Sequence, residues 1–130
     1  MGILSDIQDG VFLKLKTANP GTIVWPNIPY TGAVPYLRVH ILPAETQPLG
    51  IANGDIYKGI IQIDCVTADG IGPAAAATLA DTVIGTFVRN TTTTKNTTTI
   101  RFLRTGSAGP GQQESERYFI PVSIPYEVIS

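Results

Sequence analysis

The run CVTADGIGPAAAATL, Cys65 to Leu79, decides between two folds. Gly70, Gly72 and Ala75 satisfy the G-x-G-x-x-[GA] pattern of a dinucleotide-binding turn, with a β-rich run before it and a helical run after it. One reading is a parallel βαβ unit that holds a diphosphate at the helix N-terminus. The other is an antiparallel strand that bends sharply into a helix for structural reasons. The first reading wants an acid roughly 20 residues further on to hold a ribose. No Asp or Glu occurs between Asp81 and Glu114. Pro73, at the expected first helical position, costs the helix nothing there, but it removes an amide that could hold phosphate. The two glycines need no more than a tight turn to explain them. The sequence therefore favours the structural reading and no cofactor. A nucleotide-dependent enzyme using this turn is the remote alternative, testable by thermal shift with NAD, FAD and ATP.

The flanks agree with that reading. Before the turn, IYKGIIQIDCVTA reads as a strand with Ile61, Ile63 and Cys65 on one face and Lys58, Gln62 and Asp64 on the other; Ile60 and Val66 break the pattern. Upstream, PYLRVHILP sets Leu37, Val39 and Ile41 inward and Tyr36, Arg38, His40 and Leu42 outward. The pair makes an antiparallel hairpin across the long connection 43–55. After the turn, residues 73–88 form a helix with an apolar stripe of Ala76, Leu79, Ala80, Val83, Ile84 and Phe87. A first helix spans 3–17, with Ile3, Ile7, Val11 and Leu15 recurring every four positions and Gly10 weakening it by about 1 kcal/mol.

Three prolines in residues 22–35 make an extended connector, pinned by Trp25 and Tyr30. The threonine-rich run from Thr91 to Thr99 suits exposed strand, IRFLRT resumes a strand, and GSAGPGQQ is a flexible turn. The final strand, ERYFIPVSIPYEV, places Tyr118, Ile120, Val122, Ile124, Tyr126 and Val128 on one face. Pro121 and Pro125 share the other parity, so both missing N–H donors point to the same side, which places this strand at a sheet edge. The expected fold is α+β in one domain, residues 1–130: a mostly antiparallel four-stranded sheet with two helices packed on one face, in the order α-β-β-α-β-β.

Composition narrows the chemistry. Of 130 residues, 43% are hydrophobic, enough for a folded core, and only 15% are charged, against about 25% in an average domain. A surface that poor in charge suits a subunit covered by other protein. The net charge of −1 gives no general attraction to nucleic acid or membrane. MGILSDIQDG carries acids where a signal peptide needs bases, and no run reaches a membrane span, so a reducing cytoplasm is expected. Cys65 and His40 are the single cysteine and single histidine. They cannot build a metal cluster, and nothing beyond the two residue types supports a Cys–His nucleophile. No P-loop and no G-x-S-x-G elbow occur. Catalytic, cofactor and metal residues are accordingly expected to be none.

Two features look toward partners. The connection 43–55 carries Glu45 and, at its tip, Leu49 and Ile51, which either fold back on the core or contact another subunit. Residues 82–113 contain Arg89, Lys95, Arg101 and Arg104 and no acid. They are either ordinary surface cations or a basic rim facing an acidic partner or passing DNA.

WPNIPY (25–30), PYLRVHILPAETQPLGI (35–51), YKGIIQIDCVTADGIGPAAAATLADTVIGTF (57–87) and YFIPVSIPYEV (118–128) resemble, in that order, the bacteriophage tail terminator-like family. The resemblance covers most of the chain but not the threonine-rich run. It implies an α+β subunit of a hexameric ring that caps the tail tube and stops tube polymerisation. It also implies that the ring's other face receives the head-completion protein and that DNA passes through without sequence-specific binding. The place implied is the head-proximal end of the virion tail, with assembly in the host cytoplasm. No catalysis is implied, and no catalytic residue carries over. The alternative is another neck, head–tail joining or tail-completion protein. On this reading Glu45, Leu49 and Ile51 make subunit or tube contacts.

Overall fold

The longest β-pattern in the sequence becomes the spine of the molecule. In a computed structural model that describes residues 3–18, 22–24, 35–48, 54–68, 70, 74–95, 98–114 and 117–129, two helices and nine strands follow in chain order. They are α1 (Ile3–Ala18), β1 (Ile23–Val24), β2 (Tyr36–Pro43), β3 (Gln47–Pro48), β4 (Asp55–Ala68), α2 (Ala74–Thr86), β5 (Thr92–Lys95), β6 (Thr98–Phe102), β7 (Ser107–Ala108), β8 (Gln112–Glu114) and β9 (Arg117–Ile129). The sheet order is β1-β2-β4-β9-β6-β5, with β3 on β4 and with β7 and β8 on β9. β1 runs parallel to β2 and the other pairs are antiparallel. The sheet curls into a half-barrel.

This overturns the expected four-stranded sheet in α-β-β-α-β-β order. Four of the added strands, β1, β3, β7 and β8, have only two or three residues each. That is too short for a period-two pattern to register. Two of them, β7 and all but the last residue of β8, lie in the GSAGPGQQ run, expected to be a flexible turn. A fifth, β5, lies in the threonine run.

The second correction concerns β9, which is central and not at an edge. It pairs with β4 without a break, from Arg117↔Ala68 to Ile129↔Ile56. Its other side is met in three pieces: β8 at 117–119, β7 at 122–123 and β6 at 126–127. The gaps fall at 120–121 and 124–125, where the two prolines stand. The Pro121 carbonyl accepts a hydrogen bond from the Gly109 amide at 2.7 Å, so Pro121 turns its backbone toward β7. Pro125, four residues on, turns the same way. The prolines did restrict pairing to one full side, and short strands fill the other wherever a donor exists.

One face of this sheet is the core. Leu37, Val39, Ile61, Ile63, Cys65, Ile100, Phe102, Val122, Ile124, Tyr126 and Val128 bury against Ile7, Val11 and Leu15 of α1 and Ala76, Ala80, Val83 and Phe87 of α2. The Phe87 and Phe102 rings meet edge to face at 5.1 Å, the arrangement their quadrupoles favour. Gly10 lets α1 lie close on the sheet: a Cβ there would stand 2.8 Å from Ile100 Cδ1. The start of α1 is tied down by a buried bond, Thr98 Oγ1 donating to Asp6 Oδ2 at 2.7 Å.

Candidate interaction surfaces

Gly70 stands in a turn between β4 and α2. Gly70 is exposed with φ at +82°, a conformation that suits glycine, and nothing approaches within 4 Å of where a Cβ would stand. β4, which leads into it, is antiparallel to both of its full-length neighbours, β2 and β9. The chain after α2 returns to β4 through β9, again antiparallel, so the parallel βαβ unit of a dinucleotide site does not form around this turn. Gly72 and Pro73 lie outside the described residues.

Cys65 and His40 stand on opposite faces of the sheet. Cys65 points into the core, and burial, together with the nearby Asp64 charge, pushes its thiol up to about 12. A thiol held neutral in this way is a poor nucleophile. His40 is outward, with Nε2 3.7 Å from Asp64 Oδ2.

The outer face is built in rows that the strand registers define. Tyr36, Val66 and Phe119 form one row and, with Val24, a small second core. The Arg38 guanidinium lies over the Phe119 ring at 5.2 Å, and that of Arg117 over Tyr36 at 5.3 Å, a favourable cation–π placement. The next rows hold Asp64, which is only 3% exposed although its parity is the polar one. Its carboxylate accepts from Arg38 Nε at 3.0 Å and from Gln62 Nε2 at 3.1 Å. A buried carboxylate needs such partners, because taking the charge out of water costs several kcal/mol. Beyond this cluster the face turns apolar: Leu42 pairs across to Ile60, Ile60 to Pro125, and Leu42, Ile60 and Ile129 are all exposed. Lys58, Glu127 and Arg101 make one row of alternating charge within that region.

The candidate contact residues scatter. Glu45 is exposed on the run between β2 and β3; Leu49 and Ile51 lie outside the described residues. Arg89 and Arg104 are both exposed, and the Arg89 amide donates to Thr105 Oγ1, on the residue after Arg104, at 3.4 Å. Arg101 is on the outer face beside Glu127. Lys95 faces the opposite way, its Cβ 3.6 Å from the site a Cβ would take at Gly10 of α1. Arg101 and Lys95 therefore lie on opposite faces of the β5–β6 hairpin. Sequence reasoning missed the exposed Leu42, Ile60 and Ile129 as a patch. The available signal was apolar residues at the polar parity of their strands.

Two of the concavities among the described residues border α1. A groove of about 560 Å³ lies between the helices, lined by Leu13, Lys14, Thr17, Gly85, Thr86 and Thr93. A smaller cleft of about 220 Å³ includes Leu4, Ala44, Tyr57 and Tyr126. The polar groups that converge in a cofactor or substrate site are few in both: Lys14 is the charged residue lining the first and Lys58 the second. Among the described residues no three His, Cys, Asp or Glu side chains are grouped to hold a metal.

A family model described as phage tail terminator protein matches residues 6–126. Two solved structures share the fold. One is 24% identical, covers 94% of this chain and 92% of its own, and has a TM-score of 0.78. The other is a chain from the virion of a native gene transfer agent particle, 16% identical, covering 99% of this chain and 98% of its own, with a TM-score of 0.65. No curated protein matches the sequence.

Proposed function

The chain belongs to the phage tail terminator family, and from that premise we propose that it forms a ring, hexameric as in its family, that caps the tail tube and stops tube polymerisation. Membership makes it a structural protein of the phage tail and places it in the virion. In the proposed role one face of the ring meets the last ring of tube protein at the head-proximal end of the tail. The other face meets the head-completion protein, and DNA passes through the hole without sequence-specific contacts. Assembly takes place in the host cytoplasm.

The observation that carries the reading is the extent of the family match, which runs from the first turn of α1 to the last residues of β9. Three further points support it. Charge is sparse over the whole chain. Leu42, Ile60 and Ile129 expose apolar surface on one sheet face, as a subunit awaiting partners does. The same fold occurs in a chain of a gene transfer agent virion.

Electron microscopy of tails assembled with and without the protein tests the proposal. Uniform tails with it and tails of uncontrolled length without it are expected. Tails of unchanged length in its absence overturn the terminator role.

A further inference from the structure

The sheet ends in two edges that match each other. At one end stands β5, paired to β6 alone. The Phe102 amide donates to the Thr91 carbonyl, so the odd-numbered residues of β5 turn their backbone groups to β6. Thr92 and Thr94 therefore turn theirs outward. At the other end β1 covers β2 at Leu37 and Arg38, and further along the same side the run Ala44–Pro48, which continues β2, is exposed throughout. It is held to β4 by Ala44 N to Lys58 O at 2.8 Å and by the β3 pairs, and among the described residues no strand pairs with its far side.

The registers put these edges level. Thr92↔Arg101, Arg101↔Glu127 and Glu127↔Lys58 form one row, which the Ala44–Lys58 bond extends to the opposite edge. Three antiparallel steps separate β5 from β4, and β2 is antiparallel to β4, so β5 and β2 run in the same direction. Beyond the shared row one edge continues to Lys95 and the other to Glu45, opposite charges at the same end of the sheet. Edge strands are usually blunted by proline, a bulge or inward charge, and the threonines 92–94 of β5 carry none of these.

From this we infer that β5 of one copy joins the Ala44–Pro48 edge of a second copy by parallel β-pairing, head to tail. The join rests on the ring assembly proposed above and names the surfaces that make it. Repetition of one such heterologous contact generates a ring when its rotation closes. With Thr92 level with Ala44, Thr93 lies beside Glu45 of the next copy and Lys95 lies diagonally across from it, within reach of a long side chain.

Two chains with one added cysteine each test it, Ala44→Cys and Thr92→Cys, each otherwise native, with the buried Cys65 as an inert background. Oxidised together they should give a covalent dimer, and each alone should give none. A dimer from Thr92→Cys alone overturns the inference in favour of a two-fold β5–β5 contact. Thr94→Pro, which removes an outward N–H and leaves the β5–β6 ladder intact, should weaken each contact about tenfold by light scattering or native mass. Lys95→Glu should weaken it as well, and Glu45→Lys should restore it. A ring-sized native particle that gives no covalent dimer and ignores Thr94→Pro sinks the edge join and leaves the ring standing. A native chain that never exceeds one subunit, alone or with tails, sinks both.

Discussion

The two faces of the β2–β4–β9 sheet are made by the same three strands and obey different rules. Inward, every position from Ile61 to Cys65 and from Val122 to Val128 that faces the helices is apolar and sealed. Outward, the same strands alternate between a small aromatic core, a buried ion pair and an exposed apolar patch. The inner face is a solved packing problem within one chain. The outer face leaves Leu42, Ile60 and Ile129 exposed.

Substitutions should separate the faces. Phe102→Ala, at the contact of β6 with α2, should cost about 4 kcal/mol in urea unfolding, since a large cavity opens between rigid elements. A cost below about 1 kcal/mol would mean that the helices do not seal the inner face. Asp64→Ala on the outer face should cost about 3 kcal/mol by removing the acceptor of Arg38 and Gln62. Replacing Arg38 and Asp64 together by Leu should recover most of that loss, because no buried charge is left; failure to recover would assign Asp64 a role beyond its pairing.

High pH should probe the inner face more gently. The Cys65 thiol is raised from 9.0 to about 12, and burial raises Tyr126 in the same direction. The unfolded chain therefore deprotonates first. Stability from Cys65 is intact below about pH 9 and falls as pH rises toward 12, by about 1.4 kcal/mol per pH unit for such a group. Cys65→Val should flatten part of that decline in unfolding curves taken from about pH 9 toward pH 12, and an unchanged slope would mean that the thiol is not shielded. The smallest effect belongs to Leu42→Ser with Ile60→Ser, expected to shift stability by no more than about 0.5 kcal/mol. If this pair destabilises the monomer as much as Phe102→Ala does, the outer patch is core and the contrast between the faces disappears.

Much of this was legible in the residues. Both helices and the strands β2, β4 and β9 lie close to where periodicity put them, and the inward set of each follows from its parity. The bend at Gly70 could be inferred from turn chemistry alone. The site was less legible. Parity assigned Asp64 and His40 alike to a polar face, yet Asp64 is buried there, because Arg38 and Gln62 come to it across and along the strands. Lys95 and Arg101 are close in the chain and lie on opposite faces in the fold, since a hairpin alternates its side chains.

What the sequence determined by itself was local: which segments are helix or long strand, which side of each is apolar, and that β9 could donate fully to one neighbour only. What only the tertiary structure decided was adjacency. That β9 lies inside the sheet, with β6, β7 and β8 patching around Pro121 and Pro125, depends on partners that arrive from elsewhere in the chain. Side-chain periodicity records which face is buried and nothing about which backbone lies alongside. Hydrogen-bond pairing between strands is set by long-range geometry, so the sheet order appears only once the chain is folded.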